Sequence, residues 1–337
     1  MTNINDVQRY LGEETIDHHR EGLISRRDMF RQLVAICGSA SAAGALLAAC
    51  SANSEPSSSS SSSSSTPSSS SSSSSSLSAV SSTSPQSSAA TVAPTTAAKP
   101  ILKLRVAADD PAIAGADVTF PGAVGPLLGY LARPSVAGAA KSRAGIIVIH
   151  EIFGLTDHIR DVTRRLAKAG FVALSVDLAS RAGGTAKGGV SGALGQLAPG
   201  DALVDLRSAA TYLATQPDYS GKLGVTGFCY GGGMTLRAAA NVTNVTAAVA
   251  YYGTTPEPAD QMGNATGALL VHYAANDARV NGTMQALKDN VRTKFETRIH
   301  EGAGHGFNND TGANYFEPAA IQAWGETLSW FGFHLGQ

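Results

Sequence analysis

The chain has 337 residues and a formal net charge of −1, and only 15% of its residues are charged. With no basic patch and no interleaving of basic and aromatic residues, this composition excludes nucleic acid as an expected partner. Three cysteines, Cys37, Cys50 and Cys229, supply neither a disulfide framework nor a cysteine-based zinc site.

Residues 1–24 are polar and mixed in charge, and the first hundred residues carry no expected domain core. Ser25-Arg26-Arg27-Asp28-Met29-Phe30 resembles a twin-arginine export signal. The apolar, Ala- and Gly-rich run that follows is short for a membrane span. It ends in Leu47-Ala48-Ala49-Cys50, which resembles a bacterial lipobox. On that reading residues 1–49 are a signal cleaved before Cys50, whose acylation anchors the protein to the outer face of a bacterial membrane. An uncleaved N-terminal anchor is the alternative. Residues 50–99 form a Ser-, Thr-, Ala- and Pro-rich tether with two nine-residue serine runs. It buries too little apolar surface to offset ordering entropy, and would reach roughly 35–40 Å. Export through the twin-arginine route implies a domain that folds before it crosses.

Residues 100–337 read as one α/β domain, ample for a full core. Residues 101–106 and a hairpin over 118–132 are expected as early strands. Residues 145–150 (GIIVIH) form a β-branched run, the pattern of a strand buried on both faces. Thr156 is a good N-cap for a helix with Ile159, Val162 and Leu166 on one face, ended by Gly170. A second buried strand, residues 171–176, leads into a glycine-rich loop over 179–200. The next helix has Leu203, Leu206, Ala210 and Leu213 on one face.

Residues 222–233 (KLGVTGFCYGGG) have the form Gly-x-nucleophile-x-Gly, with Cys229 where serine usually stands. The strand-to-helix turn is so tight that glycines must flank it. It puts the sulfur at a helix N-terminus, which favours a thiolate. Two further buried strands follow at 245–251 and 267–273, then a helix striped by Met284, Leu287, Val291 and Phe295. A short strand at 297–300 and a last helix striped by Ile321, Trp324, Leu328 and Phe331 complete the chain. The alternation calls for right-handed crossovers and a mostly parallel sheet with helices on both faces, and for a site at the strands' carboxyl ends.

A thiol nucleophile needs a base, and the base an orienting group. Asp277 is the first carboxylate directly beyond a buried strand after Cys229, and His305 stands 28 residues later between glycines. That order, nucleophile, acid, histidine, is the α/β-hydrolase order. Asp260 and Asp310 are weaker candidates for the acid. His158 and His272 read as a helix-surface and a strand histidine, and Gly154 rules out a metal motif beginning at His150-Glu151.

HEIFGL (150–155), GFCYGGG (227–233), YYG (251–253), the Asp277 segment and AGHGF (303–307) run in an order that resembles the dienelactone hydrolase family. The resemblance covers about residues 115–335. It implies an α/β-hydrolase fold, Cys229 as nucleophile, His305 as base, Asp277 as its orienter and Glu151 as a control on the thiolate. It implies an oxyanion hole of the Tyr230 and Ile152 backbone N–H groups, as the elbow rule also requires. Dienelactone-cleaving members carry an arginine four residues after the histidine, where this chain has Asn309. Arg181 and Arg279 could supply a cation to the pocket or be solvated surface arginines, and Tyr252 and Asn309 complete the substrate-side candidates.

The expected protein is an exported, lipid-anchored, monomeric hydrolase of small lactones or activated esters, without metal or cofactor. A tethered binding module that lost the chemistry is the alternative, and a redox thiol a third reading, weakened by the lack of a second cysteine in the mature domain.

Overall fold

The structure, a computed structural model, describes residues 4–52, 104–135, 142–198 and 200–336. Most of the expected tether, together with residues 101–103, lies outside the described residues. Residues 104–106 are not in a strand.

Among the described residues, eight strands form one sheet: β1 (Ile113–Pro121), β2 (Pro126–Pro134), β3 (Arg143–Ile149), β4 (Val172–Val176), β5 (Tyr219–Phe228), β6 (Val245–Tyr251), β7 (Ala268–Ala274) and β8 (Phe295–His300). Their order is β1-β2-β4-β3-β5-β6-β7-β8. β1 and β2 are antiparallel to each other, and β2 to β4; every other pairing is parallel. The chain steps from β3 out to β4, then returns to β5 on the other side of β3. The carboxyl ends of β3 and β5 therefore flank the switch point, where a crevice opens in such sheets.

Helices α4 (Asp157–Lys168) and α10 (Glu317–Leu335) cover one face, with the Arg165 guanidinium over the Trp324 ring. Helices α6 (Asp201–Ala214) and α7 (Tyr230–Asn241) cover the other. The expected stripe on α4 is fully buried, because Ile159, Val162 and Leu166 repeat at helical spacing against the largely apolar strands β3 and β4. On α10 the buried line runs through Ala320, Ala323, Thr327 and Phe331, with Ile321 and Leu328 at its margins.

Two sequence expectations need correction here. The stripe from Met284 to Phe295 is not one helix: α9 (Met284–Asn290) ends before Val291, and Phe295 begins β8. The glycine-rich loop contains two short 3₁₀ turns and a helix, α5 (Val190–Gly195). The short α8 (Ala278–Asn281) follows β7.

The larger difference is at the N-terminus, where no fold was expected. Three helices, α1 (Asp6–Arg20), α2 (Arg26–Cys37) and α3 (Ala40–Ala52), share a small core of Ile16, Met29, Leu33, Ala43 and Leu46. The bundle rests on α5, where Gly192 and Gly195 let the α2 backbone close in: an added Cβ on Gly195 would stand 2.8 Å from the Ile36 carbonyl oxygen. Leu11 and Ile36 join the main core. No single helix among the described residues is long and apolar enough to cross a membrane; α2 and α3 would pass together but are bent by 113°.

Candidate active site

Five strand ends converge on one edge of the sheet. Cys229 follows β5 with φ 57° and ψ −119°, a conformation rare outside glycine. The turn is held because the Cys229 N–H donates to the Tyr251 carbonyl (3.1 Å), while the Gly232 and Gly233 N–H groups donate to the Cys229 carbonyl (2.9 and 3.2 Å). Its glycines are sterically required. A Cβ on Gly227 would lie 2.2 Å from the Gly231 carbonyl oxygen, and one on Gly231 would lie 2.3 Å from that of Ile149. Tyr230 opens α7, so its N–H is among those with no intrahelical partner.

Asp277 follows β7 and does two jobs. Its Oδ1 accepts from the Val280 N–H (3.1 Å), capping α8, and its Oδ2 lies 2.6 Å from His305 Nδ1. The Asn276 N–H bonds the Ala303 carbonyl (2.9 Å), pinning the His305 loop to the end of β7. His305 Nε2 then faces the Cys229 thiol, and these atoms with a Glu14 carboxylate oxygen lie within 4.8 Å of one another.

Glu151, after β3, is buried. Its Oε2 accepts from Asn309 Nδ2 (2.6 Å) and its Oε1 from the Tyr252 hydroxyl (3.4 Å). Burial pushes its carboxyl above the usual range, and His158 and Asn309 only partly oppose this. His150 fixes the turn that carries it: the Leu178 N–H donates to His150 Nε2 (3.0 Å), leaving Nδ1–H to donate to the Glu151 carbonyl (2.6 Å). Asn309, which stands at the expected arginine position, is thus committed to Glu151.

The structure brings together Cys229, His305, Asp277, Glu151, Tyr252, Asn309 and, beside them, Arg279. It does not bring Arg181, which is bound to Asp205 (2.9 Å) and Asp201 (2.8 Å) in a separate cleft beside α5. Arg279 is no free surface arginine: it pairs with Glu14 and with Asp17 (2.9 Å). His158, expected on a helix surface, is fully buried and 3.0 Å from Asp310, which also holds Arg105 and Arg165. Asp310 is therefore structural, and Asp260 is exposed in a 3₁₀ turn. His272 is buried in β7, 3.0 Å from His300.

The thiolate expected from the helix N-terminus is not favoured here. Burial pushes the Cys229 thiol up, and the Glu14 charge adds to it. Glu14 and Tyr10, both on α1, are the site neighbours that sequence reasoning missed. A signal was present: Asn5 and Gln8 have capping-box spacing, and their side chains and backbones bond reciprocally at 2.8 and 3.2 Å.

A cysteine on a strained strand-to-helix turn, a histidine held by an aspartate, and a sheet of this order define an α/β-hydrolase. Within that class, the family model for the dienelactone hydrolase family matches residues 127–335. A Salmonella typhi protein assigned as a carboxymethylenebutenolidase is 29% identical over 259 residues, covering 72% of this chain and 95% of that one. A Bradyrhizobium protein assigned as a 2-oxo-3-(5-oxofuran-2-ylidene)propanoate lactonase is 32% identical over 231 residues, covering 62% and 90%. The crystal structure of a Klebsiella pneumoniae protein assigned as a dienelactone hydrolase superposes with a TM-score of 0.61 at 30% identity, covering 66% of this chain and 99% of that one. The chain belongs to the dienelactone hydrolase family.

Proposed function

We propose that the protein hydrolyses small lactones or activated esters through an acyl-enzyme on Cys229. Family membership makes it an ester or lactone hydrolase; the convergence of Cys229, His305 and Asp277 at one sheet edge carries the assignment of roles. His305 Nε2 takes the thiol proton as the sulfur attacks the carbonyl carbon. The oxyanion lies on the Tyr230 and Ile152 N–H groups. Collapse breaks the carbon–oxygen bond, and the leaving alkoxide takes the proton from His305. Water then gives a proton to His305 and attacks the thioester, releasing the acid and the thiol. Asp277 keeps Nε2 aimed at the sulfur throughout. Because a thiolate leaves a tetrahedral adduct readily, enol lactones and aryl esters are favoured over amides. With Asn309 holding Glu151, Arg279 is the cation best placed to meet an anionic substrate group.

The decisive experiment is hydrolysis of p-nitrophenyl acetate and a lactone panel by the parent and Cys229→Ala. Loss of turnover in a folded variant supports the mechanism, and unchanged turnover refutes it.

The same reading includes export and anchoring. Arg26 and Arg27 are exposed on a folded chain, as a receptor for the twin-arginine signal requires. Cys50 lies half-buried in α3. Replacing both arginines by lysine should retain the protein inside the cell, and Cys50→Ala should abolish incorporation of labelled fatty acid.

A further inference from the structure

Helix α1 lies across the mouth of the candidate active site. Its Tyr10 hydroxyl donates to Cys229 Sγ (3.6 Å). One turn on, Glu14 Oε1 stands 2.9 Å from His305 Nε2 and Oε2 pairs with Arg279. Another turn on, Asp17 holds Arg279 from the other side and His18 stacks on Phe153 (ring centroids 5.5 Å apart). Asn314 Nδ2 donates to Glu21 (2.8 Å) beyond the helix end. The spacing 10, 14, 17, 18 is one helix face, and that face meets the core. Glu14 is 1% exposed, Cys229 3% and His305 8%. The sulfur is covered while α1 is seated: one cleft runs beside the helix, between Tyr10 and Glu13 on one side and Tyr230, Met234 and Thr254 on the other, and a second reaches His305 and Asp277 along Glu14 and His18.

We propose that α1 is an intramolecular inhibitor, with Glu14 occupying the place of a substrate or product carboxylate between His305 and Arg279. The inhibition is chemical as well as steric. An imidazole between Asp277 on Nδ1 and Glu14 on Nε2 is a proton holder rather than a base. Burial alone would lower His305, but these two carboxylates, together with Cys229, outweigh it and hold it well above the usual imidazole range. A charged His305 cannot accept the Cys229 proton; its charge favours the thiolate, but burial and the Glu14 carboxylate outweigh it and hold the thiol above its usual range. The occupant is fixed by contacts that no catalytic role explains: Leu11 in the main core, Gln8 Nε2 donating to the Ile36 carbonyl (3.0 Å), and Gln196 Nε2 donating to the same carbonyl (3.0 Å).

The proposal rests on the hydrolase and export reading above for its biological sense. Cleavage before Cys50 would remove α1 together with the signal. A precursor that folds before translocation would stay silent, and its processed form would open.

The experiment uses the full chain and two readouts. Alkylation of Cys229 by iodoacetamide, resolved from Cys37 and Cys50 by peptide mass spectrometry, measures access to the sulfur whether or not the protein turns over an ester. Hydrolysis of p-nitrophenyl acetate measures catalysis. Tyr10→Ala/Glu14→Ala should raise both rates by roughly tenfold or more, because thiolate fraction and access rise together. Glu14→Gln, which keeps the size and removes the charge, should raise hydrolysis with little change in circular dichroism. Unchanged alkylation in the double variant overturns the proposal. So does faster alkylation with slower Cys229-dependent hydrolysis, which would make α1 a part of the working site. Faster alkylation with no hydrolysis in any form upholds the occluding helix and refutes the hydrolase reading instead.

Discussion

At the scale of single residues, two buried carboxylates at the site are held in opposite ways. Asp277 accepts a capping N–H and faces the His305 imidazole, whereas Glu151 has only an amide and a phenol. Asp277→Asn should therefore leave the fold intact but misorient His305, lowering kcat/KM for p-nitrophenyl acetate by about 10³-fold or more. Asn309→Ala takes away the shorter of the two hydrogen bonds to Glu151, at a cost of about 1–3 kcal/mol in stability. The pH dependence follows from the direction of the Glu151 shift. Its folded carboxyl already titrates above the unfolded one because of burial, and losing Asn309 raises it further. The folded state then keeps a proton that the unfolded state releases, so stability falls as pH rises through that interval. The melting-temperature deficit of Asn309→Ala should be larger at pH 8 than at pH 5; an equal deficit at both would mean that losing Asn309 does not change the protonation of Glu151 between them.

At the scale of elements, the elbow and the helix over it make separate demands. Gly227→Ala and Gly231→Ala would drive a methyl group into backbone oxygen atoms that cannot rotate away. Each should cost at least about 2 kcal/mol in urea unfolding, well beyond the usual effect of adding one methyl group at a surface. For α1 the contacts are of another kind. Its polar face meets Cys229, His305 and Arg279, while Leu11 and Ile16 meet apolar cores on its flank. Leu11→Asp should loosen the helix without touching Cys229, His305 or Asp277, and should speed Cys229 alkylation in the same direction as Tyr10→Ala/Glu14→Ala.

At the scale of the molecule, a chain lacking residues 1–49 keeps the whole sheet and both helix layers but loses the cover over α5 and the site. It should hydrolyse p-nitrophenyl acetate faster than the full chain and melt at a lower temperature, because Leu11 and Ile36 no longer contribute to the core. A truncated chain that is more stable and less active would reverse both the packing argument and the inhibitor argument.

The sheet, its helix layers and the partners of Cys229 were legible in the sequence because they rest on local patterns. Continuous β-branched runs mark strands buried on both faces, glycines mark a turn that tolerates no Cβ, and a carboxylate and a histidine just past strand ends must meet at the carboxyl edge. What the sequence left open depended on approach between distant segments. Asn309 could be read as a substrate residue until Glu151, 158 positions away, was seen to take its amide. Arg279 and Arg181 looked alike in the chain, yet one meets α1 and the other Asp205. The helix-terminus argument for a thiolate was sound locally, but burial raises the thiol, and the charges of Glu14, 215 positions earlier, and of Glu151 add to it. Local periodicity fixes where an element forms and which side it buries, whereas a group's protonation and partners are set by whichever charges the tertiary fold packs within a few ångströms of it.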